Sequence, residues 1–363
     1  MKHICFFIGS VSNNGGTERI TISLANHLME NGYEVSIISM YSAENSFFEI
    51  DKKIQSYSLF KKPKNYTFYL PLIIYFLYKK IKDLEIDIII NSDVILSLFS
   101  LPVKFFNRKL KVISWEHFNY KTNLGIRRRD CARMLSKKYA NAIVTLTEQD
   151  KGFYMENGVS RASIICIPNY LDNIPSVVSK LNNKIVLAAG RFTYQKGFDI
   201  LVDVWKLVKQ NFVSDNWVLK IIGNGEDKNL VRQKVKNLQL DDSIEIIDAV
   251  KNIADYYLSA SLFVLSSRYE GLPMVLIEAK SYGIPIIAFD CETGPRDLIK
   301  NECNGCLIPV GNIQSMADRI CDLIVDEEKR KKMGKIARQD AFVITADNAV
   351  KKWDKLFESI TAN

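Results

Sequence analysis

The sequence is poor in the residues that most often announce a metal or redox centre. Among 363 residues there are 3 histidines, and no two aspartates stand two positions apart. The D-x-D device that grips a divalent ion is therefore missing, and no metal is expected. The 7 cysteines are an odd number scattered through apolar runs, which suits small buried hydrophobes in a reducing compartment. The one close pair, Cys303 and Cys306 in "CNGC", has no second pair or nearby histidine and reads as a plain loop. No apolar run reaches the roughly 20 residues needed to cross a bilayer. The amino-terminal "HICFFIG" is also too short for a secretory segment, so a cytoplasmic protein is expected. Low-complexity tracts and internal repeats are absent as well.

What is present is ordinary for a folded protein, 47% hydrophobic and 25% charged. The length exceeds what one hydrophobic core sustains, so two domains are expected. The net charge of +8 is unevenly placed: residues 60–138 alone hold 17 basic and 6 acidic side chains, while 169–363 balance. The basic stretch includes Lys61, Lys62, Lys64, Lys79, Lys80, Lys82, Arg127, Arg128 and Arg129, beside the apolar "FYLPLIIYFLY". A solvated face or nucleic acid would suit such charge, but no nucleic-acid recognition motif accompanies it. Apolar residues between lysine clusters also suit an interfacial helix on anionic lipid, and Pro71 and the charges argue against a spanning one.

Short Ile/Val-rich runs alternate with amphipathic stretches: "HICFFIG", a helix over 17–31, "EVSIISM", a helix over 69–84, "IDIIIN", "KVISWEH" and "AIVTLT". The pattern restarts with "KIVLAAGR", "WVLKIIGNG", "SIEIID", "SLFVLSS" and "IPIIAFD". This is the signature of two doubly wound parallel α/β domains, residues 1–168 and 184–345. The segment "IPNYLDNIPSVVSKLNN", residues 167–183, has two prolines and four asparagines, and 169–183 reads as the linker. The amphipathic segment 346–363 is expected to reach back onto the first domain.

Ligands of such sheets bind beyond the carboxyl ends of the strands, and four loops there are loaded. Gly15 and Gly16 open a helix and would let phosphate approach backbone N–H groups, although a tight turn alone would also use them. Arg191 and Lys196 flank a loop before Gly197, an arrangement suited to a diphosphate or to plain solvation. In "YEGLPMVLIEAK", Glu270 precedes a helix start with N–H groups at 271–274, and Glu278 lies about two turns along. Two carboxylates so placed could hold vicinal diols, or be surface groups, although Glu278 has apolar neighbours that make a lone charge costly. His117 follows a strand in "SWEHFNY" and is structural or functional, with Glu116 a possible surface residue. Neither "GSVSNNGG" nor "GNGEDK" is the dinucleotide fingerprint, which excludes an ordinary oxidoreductase.

In this order, "GGTER", "GRFTYQKG", "IIGNGE", "SSRYEGLPMVLIEAKSYGIPII" and "CETGPRDLI" resemble the retaining glycosyltransferases of family 4. The "EHFN" and "TGPRDLI" segments are similar to bacterial enzymes of O-antigen, capsule and exopolysaccharide synthesis. The resemblance implies a GT-B fold, two Rossmann-like domains facing a central cleft. It also implies metal-independent sugar transfer to a saccharide on a polyprenyl diphosphate at the inner membrane face; the sugar is not named by the sequence, and a UDP-linked hexose or N-acetylhexosamine is expected over GDP-mannose. By the same resemblance Glu270 contacts sugar hydroxyls and Glu278 the ribose. Arg191, Lys196 and the Gly15–Gly16 backbone meet the diphosphate, the helix start Gly271, Leu272, Pro273 and Met274 contacts donor oxygens, and His117 lies near the sugar 6-hydroxyl. Gly223, Gly225 and residues near 248–250 line the base pocket, where "IIDAVKN" departs from the family's glycine-containing turn. A nucleotide-sugar epimerase or an inactive glycan-binding relative are the competing readings.

Overall fold

A computed structural model of the chain describes residues 2–13, 15–41, 46–64, 68–211 and 214–362. The chain forms two compact units, residues 1–172 with 346–363, and residues 173–345. The first is built on seven strands: β1 (His3–Ile8), β2 (Glu34–Tyr41), β3 (Gln55–Phe60), β4 (Ile88–Asn91), β5 (Lys111–Trp115), β6 (Ala142–Thr145) and β7 (Ser163–Cys166). They run parallel in the order β3-β2-β1-β4-β5-β6-β7. The second unit has six: β8 (Ile185–Ala189), β9 (Val218–Ile222), β10 (Ile244–Ile247), β11 (Leu262–Leu265), β12 (Ile286–Phe289) and β13 (Gly305–Ile308). Their order is β10-β9-β8-β11-β12-β13, again parallel.

Helices cover both faces, so the central strands carry unbroken apolar runs instead of an alternating pattern. β1 ("HICFFI") and β4 ("IIIN") are buried at every position. In the second unit Trp205, Phe192, Phe198 and Phe289 pack with the sheet into one core. The helix expected over 69–84 spans Leu70–Asp83, with Pro71 in its first turn, where a missing N–H costs no helical bond. Three strands go beyond the sequence reading: β3, β7 and β13, each at a sheet edge. Cys306 falls inside β13, so "CNGC" is a turn leading into a strand, and both cysteines are free.

The helix Ala346–Thr361 completes the first unit. Trp353 meets Trp115 edge-on at 5.1 Å between ring centroids. Tyr33 donates its hydroxyl to Asp354 at 3.0 Å, and Lys2 donates to Thr361 at 2.6 Å.

Candidate active site

In the second sheet the strand order reverses between β8 and β11, so the crevice for a ligand lies at the loops following those two strands. The loop after β8 ends at Gly197, the N-cap of the helix Phe198–Lys209, with φ of 63°. A Cβ at Gly197 would enter the carbonyl oxygen of Ser266, just past β11. Only glycine both accepts this backbone and lets the two loops touch.

Across that contact Lys196 Nζ donates to Glu270 Oε1 at 2.6 Å, and Ser267 Oγ donates to the same oxygen at 2.6 Å. Thr293 Oγ1 donates to the Glu270 carbonyl at 2.6 Å. Glu270 is thereby fixed at the switch point with 5% of its surface exposed. Arg268 braces the loop by a two-pronged bond to Asp199, 2.9 and 2.6 Å, while its guanidinium lies 4.0 Å from the centre of the Tyr194 ring. Arg191 and Lys196 are therefore not an equivalent pair. Lys196 shares its charge with Glu270, whereas Arg191 is exposed and makes no ion pair among the described residues.

The helix Met274–Ser281 follows. Of the amides expected at 271–274 one is ruled out, because proline has no N–H to offer; Gly271, Leu272 and Pro273 are buried residues. Met274 is partly exposed. Glu278 is 9% exposed, and its Oε2 accepts from the Tyr257 hydroxyl at 2.7 Å. Tyr257 in turn stacks on Tyr282 at 5.1 Å with ring planes 12° apart. A carboxylate among apolar neighbours needs such a donor.

Gly223 and Gly225 lie in the loop after β9. A Cβ on Gly223 would enter the Gly190 carbonyl, so the loops after β8 and β9 run in contact. They are laced by Phe192 N–H to Asn224 O at 2.9 Å and Asp227 N–H to Phe192 O at 3.0 Å. Lys228, at the position where a third glycine would fall, is buried beneath them.

In the first unit Gly15 is the N-cap of the helix Gly16–Glu30, with an extended backbone that demands no glycine. His117 follows β5; it is buried against Trp115, ring centroids 4.4 Å apart, and its Nε2 has no hydrogen-bond partner among the described residues. Burial, and then the Arg129 cation, push its pKa down to about 3, so the ring is neutral at ordinary pH.

Glu116 is not a surface residue. It is fully buried, accepting from Arg133 Nε at 2.8 Å and the Tyr154 hydroxyl at 2.9 Å. Arg133 also donates to the carbonyls of Tyr120 and Thr122, at 3.0 and 2.8 Å, which fastens the loop carrying His117. Nor is Arg129 part of the surface basic patch, because it is buried and donates to Asp93 at 2.5 Å. Ser267, Thr293, Tyr257 and Lys228 carry no sequence mark beyond lying inside or near the quoted motifs; their partners are distant in the chain.

Two family descriptions divide the chain, "Glycosyltransferase Family 4" over residues 14–173 and "Glycosyl transferases group 1" over residues 170–340. The amylovoran biosynthesis glycosyltransferase AmsD of Erwinia amylovora is 31% identical, covering 98% of this chain and 99% of the relative. The chain belongs to the family 4 glycosyltransferases and has the GT-B fold. It is 27% identical over 99% of both chains to a Campylobacter jejuni enzyme, the GalNAc-alpha-(1->4)-GalNAc-alpha-(1->3)-diNAcBac-PP-undecaprenol alpha-1,4-N-acetyl-D-galactosaminyltransferase. The crystal structure of Anabaena Alr3699/HepE, in complex with UDP and glucose, matches with a TM-score of 0.80 at 18% identity over 99% of each chain.

Proposed function

We propose that the chain transfers a hexose or N-acetylhexosamine, with retention, from a UDP-sugar to a polyprenyl-diphosphate-linked saccharide in bacterial surface polysaccharide synthesis. The observation that carries this is the fixed Lys196–Glu270 pair at the β8/β11 reversal, with exposed Arg191 on the same loop. In this reading Glu270 holds donor-sugar hydroxyls and Glu278 the ribose. Arg191 and Lys196 meet the charge that grows on the diphosphate as the glycosidic bond breaks, which lowers the barrier more than it tightens substrate binding. No metal takes part. In the first unit the reading assigns phosphate contact to the Gly15–Gly16 backbone and a sugar-hydroxyl contact to the neutral His117. The undecaprenol-linked substrate named for the Campylobacter relative supports the acceptor class, and the UDP named in the Anabaena complex supports the nucleotide.

The acceptor lies in a membrane, and the surface of the first unit suits one. Leu70, Leu72 and Tyr75 on the Leu70–Asp83 helix are exposed, as are Phe105 and Phe106, the latter 6.3 Å ring to ring from Tyr78 of that helix; Lys61, Lys62, Lys64, Lys79 and Lys82 are exposed as well. Each basic residue near an anionic surface adds about 1 kcal/mol. No helix of the described residues is long and apolar enough to cross a membrane, so the association is read as peripheral, on the cytoplasmic face.

The test is a screen of UDP- and GDP-sugars for thermal stabilisation, followed by hydrolysis of the best ligand. A UDP-hexose or UDP-N-acetylhexosamine at 100 times its dissociation constant should add about 2.7 kcal/mol, and slow release of free sugar should follow. Stabilisation without release would favour an inactive relative. Conversion to an epimeric nucleotide sugar would favour an epimerase. No stabilisation by any nucleotide sugar would overturn the reading.

A further inference from the structure

Lys228 opens the helix Lys228–Asn237, a position where the helix dipole disfavours a cation. Its side chain is nonetheless buried, 9% exposed. The ammonium has three N–H groups, and three short bonds use them: to Gly223 O at 2.8 Å, Asn224 Oδ1 at 2.9 Å and Asp248 Oδ1 at 2.6 Å. The Ile247 carbonyl lies further off at 3.4 Å. Two of these acceptors belong to the loop after β9 and the third to the loop after β10. The Phe192 ring, from the loop after β8, sits 5.5 Å from the nitrogen. One buried cation thus ties together three successive loops on the side of the sheet that runs away from Glu270. The Asp248 carboxyl, on a solvent-exposed residue, is held below its ordinary pKa by the bond to Lys228.

We propose that Lys228 is a positioning residue for the nucleotide base, acting through the Asp248 clasp on residues 248–250. The proposal rests on the nucleotide-sugar reading above. With the diphosphate at Arg191, after β8, a nucleoside extending away from Glu270 meets the loops after β9 and β10. The second of these is two strand spacings away, roughly 10 Å, about the reach of a nucleoside. Residues 248–250 are exposed, and their backbone N–H and C=O groups can read a base edge only if the turn is rigid. Here the Lys228–Asp248 ion pair, 2.6 Å, holds the turn. Because all three ammonium hydrogens are taken, Lys228 contributes position and leaves no donor for the base itself.

The experiment measures binding of UDP and of inorganic pyrophosphate to the full chain, wild type, Lys228→Met, Lys228→Arg and Asp248→Asn. Pyrophosphate shares the phosphate contacts and lacks the base. The expected result is a tenfold or greater loss of UDP affinity in Lys228→Met and a smaller loss in Asp248→Asn, with pyrophosphate affinity changed less than twofold in both. Lys228→Arg should recover part of the loss. Asp248 is exposed, so its variant reports even if Lys228→Met does not fold. Equal losses for UDP and pyrophosphate, or unchanged UDP affinity in both variants, would overturn the proposal while leaving the nucleotide-sugar reading intact. A wild-type chain that binds no nucleoside diphosphate would overturn both.

Discussion

Arg191 and Lys196 were expected to act alike, and the structure makes them separable. Arg191→Ala removes an exposed cation that makes no ion pair among the described residues. Fold stability should change by less than about 0.5 kcal/mol. If its guanidinium meets diphosphate charge, turnover should fall by about a hundredfold to a thousandfold, the 2.7 to 4 kcal/mol lost with a single charge-stabilising donor. Lys196→Ala should cost as much turnover and something more. It leaves the Glu270 carboxylate, 5% exposed, without the ammonium 2.6 Å away. Breaking a buried pair from one side costs about 3 to 5 kcal/mol. Lys196 retains 16% exposure, so the lower end applies, about 3 kcal/mol, or a fall in melting temperature of roughly 6 to 12 °C for a domain of this size. Glu270→Gln combined with Lys196→Ala should recover much of that stability but none of the turnover. Scanning fluorimetry and steady-state kinetics on the four proteins separate the two effects. Equal melting temperatures for both single variants, or an Arg191→Ala enzyme keeping more than about half its turnover, would refute the reasoning.

Four further outcomes are expected. Glu278→Ala should raise the donor KM with turnover near normal, because a ribose contact counts equally in ground and transition states; a fall in kcat at unchanged KM would remove the ribose role. Arg133→Met should destabilise the first unit by about 3 to 5 kcal/mol by stranding the buried Glu116, and adding Glu116→Gln should restore part of it, as read from denaturant unfolding. Because the folded pKa of His117, about 3, lies below the ordinary value of 6.5, its contribution is complete above about pH 6.5 and fades as pH falls. By pH 5 that loss amounts to about 2 kcal/mol, and a His117→Gln variant should show a shallower acid decline in unfolding midpoint. Sedimentation with vesicles should require anionic lipid, weaken at high salt and drop when Lys79, Lys80 and Lys82 become glutamate; equal binding to neutral vesicles would refute the membrane reading.

The central strands were legible because burial on both faces writes itself as runs such as "IDIIIN" and "SLFVLSS". β3 was not, since as an edge strand it is half exposed and its "QSYSLF" mixes polar and apolar residues without a clear period. β7, "SIIC", and β13, "GCLI", are edge strands that abut the linker and the "CNGC" turn, whose loop-forming residues masked them. The loaded loops were legible because glycine and charge concentrate where backbone and ligand approach. Their pairings were not. Lys196 and Glu270 lie 74 positions apart, and the burial of Arg129 and Glu116 depends on helix packing that local pattern does not encode. The same holds for Lys228, whose three acceptors come from two separate loops.

The first unit is discontinuous, closed by a helix that begins at Ala346. On the ribosome its sheet therefore emerges complete while Trp115, against which His117 packs, still lacks Trp353. The second unit, an uninterrupted stretch of chain, can finish folding in that interval. A nascent chain stalled before residue 346 would pair a mature second unit with a first unit whose apolar surface is still bare. A chain ending before residue 346 would therefore leave Trp115 without the Trp353 ring that packs against it.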